Sequence, residues 1–434
     1  MSSTFTGVSI TQNDINLIID ASNIPNNWNS RGIYVNASDT VAANNGINIP
    51  AHTILYPDGT SQNIQSFSGT KHITFTGSDY NDYLNVGNNY TSWYEWSKGS
   101  DFYYSTNSNK GGINTNTWWW KSNQPTQGLT LDYSNGTTLN LNTNFGSTIA
   151  TNIYAISGTP GDDIIKGSSN SDNPIGNGGS DIVTGGGGND VFGNIRANQK
   201  KLSITDYENY ERILIQDVSW ISEKFGFTKS KIQDQIIATY NSNTKKTSLS
   251  INTDTLTKND LVVLDNGEFS ISHYRLYNEP SQTNKEVELY LKSSSAQNFE
   301  IYNLAYKHDV LVIKDYDSGD KIKFNSDFSF SSTNYINQIS TSYDSTKKQT
   351  LIDVTTSKGT KDDVVVIDGE FELATVIPAA DGGLIMTFAT KGTRFSNVVT
   401  QNGDELKIDA DGIPNLWSGR GVYVNASDKE VTHN

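Results

Sequence analysis

Residues 158–193 read GTPGDDIIK, GSSNSDNPI, GNGGSDIVT and GGGGNDVFG when they are divided into four consecutive units of nine. Glycine opens every unit, aspartate holds the sixth place of each, and the eighth place is isoleucine, valine or phenylalanine in three of them. Eleven of the chain's 36 glycines lie in this segment, so the enrichment is local. Self-similarity at a fixed short period is typical of architectures built from stacked repeats.

The order of residues within one unit indicates a turn followed by a short strand. Glycine tolerates left-handed backbone angles, so the first six residues can turn tightly and direct carbonyl oxygens inward. The sixth-place aspartate adds a carboxylate, and the last three residues form a strand whose apolar eighth residue faces the interior. Ca²⁺ takes six to eight oxygen ligands, which stacked turns can supply and one turn cannot.

This pattern resembles the calcium-binding nonapeptide repeat of the RTX (repeats-in-toxin, haemolysin-type) family of type I-secreted bacterial proteins. The resemblance implies a short right-handed parallel β-roll in which alternate turns stack, so that Asp163 pairs with Asp181 and Asp172 with Asp190. The second unit departs from the pattern, because serine and asparagine replace glycines and Pro174 holds the eighth place. The 163/181 pair therefore follows the family pattern better than the 172/190 pair. The calcium site that the resemblance implies comprises Gly158, Gly161, Asp163, Gly167, Asp172, Gly176, Gly179, Asp181, Gly185, Gly188 and Asp190.

The overall composition is acidic and suits an ordered, β-rich chain. The 434 residues carry 32 Lys and Arg against 47 Asp and Glu, which gives a formal net charge of −15. Such a polyanion repels nucleic acid and anionic membrane surfaces and attracts cations. Because the chain has no cysteine, its stability must come from burial, bound metal or assembly. No apolar run is long enough to predict a membrane span.

The location of the protein is predicted from the resemblance rather than from a signal. The N-terminal sequence has no basic segment followed by an apolar run, so no Sec-type signal peptide is visible, and a cytosolic location fits equally well. The RTX resemblance implies export by a type I secretion system. We therefore expect the protein outside the cell or on the bacterial cell surface.

Two segments downstream of the repeat resemble each other at a spacing of about 105 residues. Residues 202–207 (LSITDY) match residues 311–316 (LVIKDY), and each is followed by a turn and an apolar run. Apolar runs that alternate with Asp, Asn and Gly turns predict strands. We interpret the two segments as copies of one β-sandwich-like module. Within them, the stretch 219–240 has a pattern that could form a helix.

The two ends of the chain also repeat each other. Residues 11–39 align without gaps to residues 400–428, and 19 of the 29 aligned positions are identical. Repeat units seldom bury their apolar face alone. We therefore expect this block to pack against a second copy, either from a tandem array or from another molecule. Packing of the two blocks within one monomer is the alternative.

These similarities divide the chain, which we expect to be all-β, into five regions. They are an N-terminal β-rich region with an aromatic cluster and a decayed repeat (1–157), the calcium repeat (158–193), the two modules (194–300 and 301–389) and the second copy of the N-terminal block (390–434).

The aromatic cluster is the feature that could bind a polysaccharide. Five of the eight tryptophans fall within 28 residues. Aromatic side chains among polar groups can hold the flat faces of sugar rings, although packing in the core is the competing interpretation. The residues with a possible glycan contact are Trp93, Trp96, Trp118, Trp119 and Trp120.

No catalytic motif is visible in the sequence. The five histidines do not form the H-x-x-x-H motif of zinc proteases, and the G-x-S-x-G motif of serine hydrolases is absent. A catalytic pair of carboxylates, as in glycosidases, is left open, since any two of the 47 acidic residues could form it. We therefore expect an extracellular calcium-binding structural or adhesive protein rather than an enzyme. It would be a unit of a bacterial surface layer, sheath, filament or large adhesin, with calcium driving folding and self-assembly. The alternative is a secreted protein that binds or modifies polysaccharide.

Overall fold

The chain is all-β, as the sequence predicts. Within the described residues there are 37 β-strands, one α-helix of four residues and three short 3-10 helices. Two compact units are present, Met1–Tyr274 with Asn278–Ala296 and Arg275–Tyr277 with Gln297–Asn434. The structure is a computed structural model, and it describes residues 6–21, 23–24, 31–44, 46–78, 80–86, 90–95, 100–104, 111–114, 128–136, 140–141, 147–151, 153–209, 211–218, 222–279, 284–293, 300–317, 319–331, 335–390, 399–402 and 405–408.

The first unit contains most of the short strands. They are β1 (Ser9–Asn13), β2 (Asn16–Asp20), β3 (Arg31–Asn36), β4 (Ala42–Asn44), β5 (Ile47–Ile49), β6 (Thr53–Leu55), β7 (Ser61–Asn63), β8 (His72–Thr76), β9 (Asn81–Asn85), β10 (Thr91–Glu95), β11 (Ser100–Tyr104), β12 (Gly111–Asn114), β13 (Thr130–Asp132), β14 (Asn140–Leu141), β15 (Ser147–Thr151), β16 (Ile153–Ser157), β17 (Ile164–Lys166), β18 (Asn173–Ile175), β19 (Gly179–Thr184), β20 (Val191–Ile195), β21 (Gln199–Ile204), β22 (Arg212–Asp217), β23 (Ile236–Asn241), β24 (Lys246–Asn252), β25 (Thr257–Leu264), β26 (Phe269–Glu279) and β27 (Asn284–Ser293).

Parallel pairing links strands that are distant in the sequence of this unit. One row of parallel strands runs β2-β8-β10-β12-β16-β18, with β1 antiparallel at its edge. A second row runs β3-β9-β11-β15, and a third runs β13-β17-β19-β21-β25. Of the strands of the repeat, β17 and β19 lie in one of these rows, β18 lies in another, and β20 pairs with β22 in a further sheet, so consecutive units place their strands in different sheets.

The eighth place of each repeat unit faces the interior. Ile165, Val183 and Phe192 are each 0% exposed, and Pro174 is also buried. Burial of one such side chain contributes about 1.5–3 kcal/mol. The seventh place faces outward, as the 45% exposure of Ile182 shows. This alternation is the period-two pattern of a strand with one buried face.

Helix is scarce in the described chain. The α-helix α1 covers Ile232–Gln235, and the 3-10 helices cover Ile64–Ser66, Ser326–Phe328 and Tyr335–Gln338. Most of the stretch 219–240, in which the sequence suggested a helix, is therefore not helical. Its last residues form β23, which pairs antiparallel with β24, since isoleucine, threonine and tyrosine suit a strand. No helix among the described residues is long and apolar enough to cross a membrane.

The second unit is built from longer antiparallel pairs and two parallel ones. Strand β29 is parallel to β33 and β28 to β30, whereas β31-β32-β33 and β30-β35-β34 are antiparallel. Buried aromatic and aliphatic side chains, including Tyr302, Phe324 and Phe328, form one core cluster. The strands are β28 (Ile301–Leu304), β29 (His308–Ile313), β30 (Lys321–Phe324), β31 (Ile339–Asp344), β32 (Gln349–Thr356), β33 (Gly359–Asp368), β34 (Phe371–Pro378), β35 (Leu384–Thr390), β36 (Val399–Asn402) and β37 (Glu405–Ile408).

The two segments that the sequence pairs as modules make matching contacts. The hydroxyl of Tyr207 donates to the carbonyl of Glu211 (2.8 Å), and the hydroxyl of Tyr316 donates to the carbonyl of Asp320 (2.7 Å). Each hydroxyl also accepts a hydrogen bond from a strand N–H. Tyrosine therefore anchors the same four-residue turn in both segments.

The duplicated ends form the same hairpin. In the first copy β1 and β2 are antiparallel with Thr11 opposite Ile18, and in the second copy β36 and β37 are antiparallel with Thr400 opposite Lys407. These are equivalent positions in the alignment of the two blocks, so the register is the same. Residues 409–428 of the second block lie outside the described residues.

Candidate calcium site

Two aspartates from alternate units of the repeat lie side by side. Strands β17 and β19 are parallel with Ile164 opposite Ile182, which places Asp163 next to Asp181. The backbone N–H of Asp163 donates to Asp181 Oδ1 (2.8 Å), and both aspartates are 1% exposed. We call this pair the 163/181 edge.

The other two aspartates form an equivalent pair. The backbone N–H of Asp172 donates to Asp190 Oδ1 (2.7 Å), and the N–H of Val191 donates to the carbonyl of Asp172 (2.8 Å). Both aspartates are buried. We call this pair the 172/190 edge. In both edges the partners are eighteen residues apart, which is the separation that two stacked units of nine produce.

The first two units close their own turns through the aspartate. In the first unit the N–H of Thr159 donates to Asp163 Oδ2 (2.7 Å), and in the second the N–H of Ser168 donates to Asp172 Oδ2 (2.6 Å). The hydroxyl of each residue donates to the same carboxylate. The second residue of the unit therefore fixes the rotamer of the sixth.

The opening glycine of each unit is required by space. A Cβ atom added at Gly158, Gly176 or Gly185 would overlap with the carboxylate of the aspartate in the same unit, and one added at Gly167 would overlap with the carbonyl of Gly185. None of these opening glycines has a positive φ angle. The sequence argument from left-handed angles therefore does not apply at this place.

Left-handed angles occur later in the turn. The fourth-place glycines of the third and fourth units, Gly179 and Gly188, have φ angles of +69° and +100°. The equivalent Gly161 of the first unit is not among the residues with a positive φ. Glycine at the fourth place thus relieves backbone strain in two of the units.

Burial raises the pKa of all four repeat aspartates. It raises the pKa of Asp163 to about 6, of Asp181 to about 7 and of Asp190 to about 6, and it also raises the pKa of Asp172. Backbone N–H donors oppose the shift in each case, and neighbouring carboxylates add to it in the first three. The site is therefore short of positive charge when its carboxylates are ionised.

The 163/181 edge ends at a neutral amide. Gln199 follows Asp181 by eighteen residues and is 2% exposed, and its Nε2 donates to Asp181 Oδ2 (2.7 Å). The same side chain bonds the backbone of Gly178 through both of its polar atoms. With this contact, both carboxylate oxygens of Asp163 and of Asp181 accept at least one hydrogen bond.

The donor set fits a hard cation if backbone oxygens take part. In the part of the chain that the structure describes, no group of three or more His, Cys, Asp or Glu side chains is arranged to hold a metal ion. Turn carbonyls would therefore supply most ligands. A carboxylate oxygen that accepts one N–H keeps a second lone pair for a cation. One buried oxygen, Asp190 Oδ2, has no hydrogen-bond donor among the described residues.

Comparisons with known proteins add no relative. No protein-family model and no curated protein matches this chain. The RTX resemblance therefore rests on the residues of the repeat.

The tryptophan cluster lies outside what the structure describes. Trp93 belongs to β10, of which only the backbone is described, and Trp96, Trp118, Trp119 and Trp120 are outside the described residues. The predicted glycan contact stays a prediction.

The decayed repeat that the sequence indicates in the N-terminal region, residues 77–84, has Asp82 at its sixth place. Asp82 has the same setting as the repeat aspartates, because its carboxylate accepts from the N–H of Ser78 (2.6 Å) and the N–H of Ile33 (2.7 Å).

Sequence reasoning missed two residues beside the calcium repeat, Gln199 and Glu211. The nine-residue register, continued past residue 193, would have indicated Gln199. Glu211, described below, follows Asp190 by 21 residues and has no such signal.

Proposed function

We propose that this chain is an extracellular calcium-binding protein with a structural or adhesive role, and that residues 158–193 form a right-handed parallel β-roll of the RTX type. The observation that carries the proposal is the stacking of buried aspartates at a separation of eighteen residues on two edges. A chain of net charge −15 that buries four carboxylates in one segment lacks counter-charge there. A bound divalent cation would supply it.

The residues of the repeat would have three roles in binding the ion. Asp163, Asp172, Asp181 and Asp190 would contribute carboxylate oxygens, the turns would contribute carbonyl oxygens, and the opening glycines would leave room for the carboxylates. Calcium, when bound, would supply positive charge and accept the oxygen ligands that the carboxylates and turns provide. An ionised carboxylate that is buried without a counter-charge costs several kcal/mol. The turns are therefore expected to hold together only when the carboxylates are protonated or an ion is present.

The structural or adhesive role draws support from the duplicated ends. Two copies of one block form hairpins of identical register, so a surface that recognises one copy is available to recognise the other. A contact between different faces of two chains does not close on itself and would generate a filament or sheet. The partner that we propose is a second copy of this chain. Export by a type I system follows from the RTX resemblance.

Unfolding with and without calcium tests the calcium site. We expect the wild-type chain to melt at a clearly higher temperature in millimolar calcium than in EDTA, because binding to the folded state alone stabilises it. The variant Asp181→Asn should lose part of that difference. A wild-type chain that melts at the same temperature in both buffers would contradict the proposal.

Light scattering tests the assembly. The intact chain should form larger particles in calcium than a version that ends at Val398, which lacks the second hairpin. If both remain monodisperse monomers with calcium present, the assembly part of the proposal is wrong, whereas the calcium part is unaffected.

A further inference from the structure

Two acidic side chains meet at the end of the 172/190 edge. Strands β20 and β22 are parallel with Val191 opposite Arg212, so the residues that precede them, Asp190 and Glu211, are also neighbours. The N–H of Arg212 donates to the carbonyl of Asp190 (3.0 Å), which fixes this register. Asp190 and Glu211 are each 1% exposed. Glu211 lies outside the nonapeptide repeat and extends its column of carboxylates by one strand.

The two carboxyl groups face each other without a donor between them. Asp190 Oδ1 accepts from the N–H of Asp172, and Glu211 Oε2 accepts from the N–H of Glu208 (2.6 Å). The carboxyl groups of Asp190 and Glu211 interact directly with each other. Asp190 Oδ2 has no partner among the described residues. Two buried carboxylates in this arrangement require either a shared proton or a cation.

A third acidic group lies close by. Both oxygens of Asp206 accept backbone N–H bonds (2.8 Å each), from Gly185 and Gly186 at the start of the fourth repeat unit. Its negative charge acts on both Asp190 and Glu211. A divalent cation would bring this group of three acids closer to neutrality.

At two positions that correspond to this one, the protein provides hydrogen-bond donors to the carboxylate. On the 163/181 edge the place next to the last aspartate is taken by Gln199, whose amide donates to Asp181. In the second of the two compact units, Asp320 holds the position that corresponds to Glu211. Its two carboxylate oxygens accept hydrogen bonds from the N–H of Glu300 (2.9 Å) and the N–H of Asp317 (2.8 Å). Of these three positions, only the one where Asp190 meets Glu211 lacks a donor among the described residues.

We propose that a divalent oxygen-seeking cation of the calcium class binds between Asp190 and Glu211 and closes the repeat against the strand that follows it. The remaining ligands are backbone carbonyls and water. The inference rests on the proposed calcium binding of the repeat, because Asp190 would be a ligand in both sites. Glu211 would be a ligand in this site alone. One edge of the repeat is then closed by an amide and the other by a metal ion.

Counting bound calcium separates this site from the others. The full chain, Glu211→Gln and Gln199→Glu are dialysed against millimolar calcium, and bound metal per chain is measured, with circular dichroism to verify the fold. Glu211→Gln should bind one ion fewer than wild type, because its amide supplies the missing donor. Gln199→Glu should bind one ion more, because it creates the same carboxyl pair with Asp181.

Each other outcome overturns the inference in a recognisable way. If Glu211→Gln folds and binds as many ions as wild type, the pair only shares a proton, and the proposed calcium function stands. If the wild-type chain binds no calcium, both proposals fail. Should Glu211→Gln not fold, Gln199→Glu decides the question, since an unchanged ion count in that variant contradicts the geometry.

Discussion

The 163/181 edge and the 172/190 edge are built from the same nine-residue unit but end differently. On the first, the stacked carboxylates meet the amide of Gln199, which donates a hydrogen bond to Asp181. On the second they meet the carboxyl group of Glu211, and no described residue donates a hydrogen bond to Asp190 Oδ2. The comparison indicates that a stacked column of aspartates can end either at a hydrogen-bond donor of the protein or at a position that requires added positive charge.

The largest effect is expected for a feature that both edges share. Gly176→Ala places a Cβ against the carboxylate of Asp181 and should lower the free energy of unfolding by about 3 kcal/mol, because the overlap forces the turn apart. Gly187→Ala is the matched control, since its Cβ would make only ordinary contacts with Ser169 and its φ is not positive. Urea unfolding in calcium measures both. An equal loss of unfolding free energy in the two variants would show that the carboxylate does not require glycine at the opening position.

The two edges should respond with opposite signs to the same substitution in EDTA. Asp181→Asn sets an amide against the amide of Gln199 and should destabilise the chain by about 2 kcal/mol. Asp190→Asn gives Glu211 a donor and should stabilise the calcium-free chain by about 1 kcal/mol. Thermal unfolding of both variants in EDTA measures the two changes in stability. The same sign for both would remove the distinction between the edges.

The pKa shifts set the sign of the pH dependence without calcium. Burial raises the pKa of Asp163 to about 6 and of Asp181 to about 7 from the ordinary 3.8, so the folded state holds more protons than the unfolded state in between. Stability in EDTA should therefore fall as the pH rises from about 4 to about 7, by about 1.4 kcal/mol per pH unit for each extra proton held.

In calcium this fall should shrink, because the ion replaces the protons, so that the calcium-induced rise in melting temperature grows with pH. Unfolding curves in EDTA and in calcium over this pH range provide the measurement. Stability in EDTA that rises with pH would contradict the assigned burial of these carboxylates.

A smaller effect should distinguish the two anchoring tyrosines. Tyr207→Phe removes the hydrogen bond to the carbonyl of Glu211 and should cost about 1 kcal/mol, with a modest loss of calcium affinity. Tyr316→Phe removes the matching bond to Asp320 and should cost a similar amount with no change in calcium affinity. Calorimetric titration of both variants tests this. A loss of affinity in Tyr316→Phe would contradict the placement of the metal site beside Glu211.

The sequence predicts the repeat because its information is local. Glycine and aspartate recur there at fixed spacing, so residues 158–193 carry the resemblance to the RTX repeat, and it is this resemblance that implies the stacking and the pairs. The parallel row that begins at β2 leaves no such trace, because it is held by backbone hydrogen bonds that impose no residue type. The sequence therefore predicts a β-rich N-terminal region, but not the order in which its strands pair.

The closure of the repeat was beyond sequence reasoning for a related reason. Gln199 keeps the repeat spacing, but it carries an amide where a carboxylate was sought. Glu211 is displaced by three residues from that spacing, because the turn anchored by Tyr207 lengthens the connection before β22. Only the register of β20 with β22 brings Glu211 beside Asp190.

Hydrogen exchange of the repeat tests most directly the claim that calcium completes it. The N–H groups of Asp163 and Asp172, which donate to the carboxylates of Asp181 and Asp190, report on the two edges separately. We predict slow exchange of both in calcium and faster exchange in EDTA, with the larger acceleration at Asp172, whose edge ends at Glu211. Exchange at the same rate in both buffers would contradict the account.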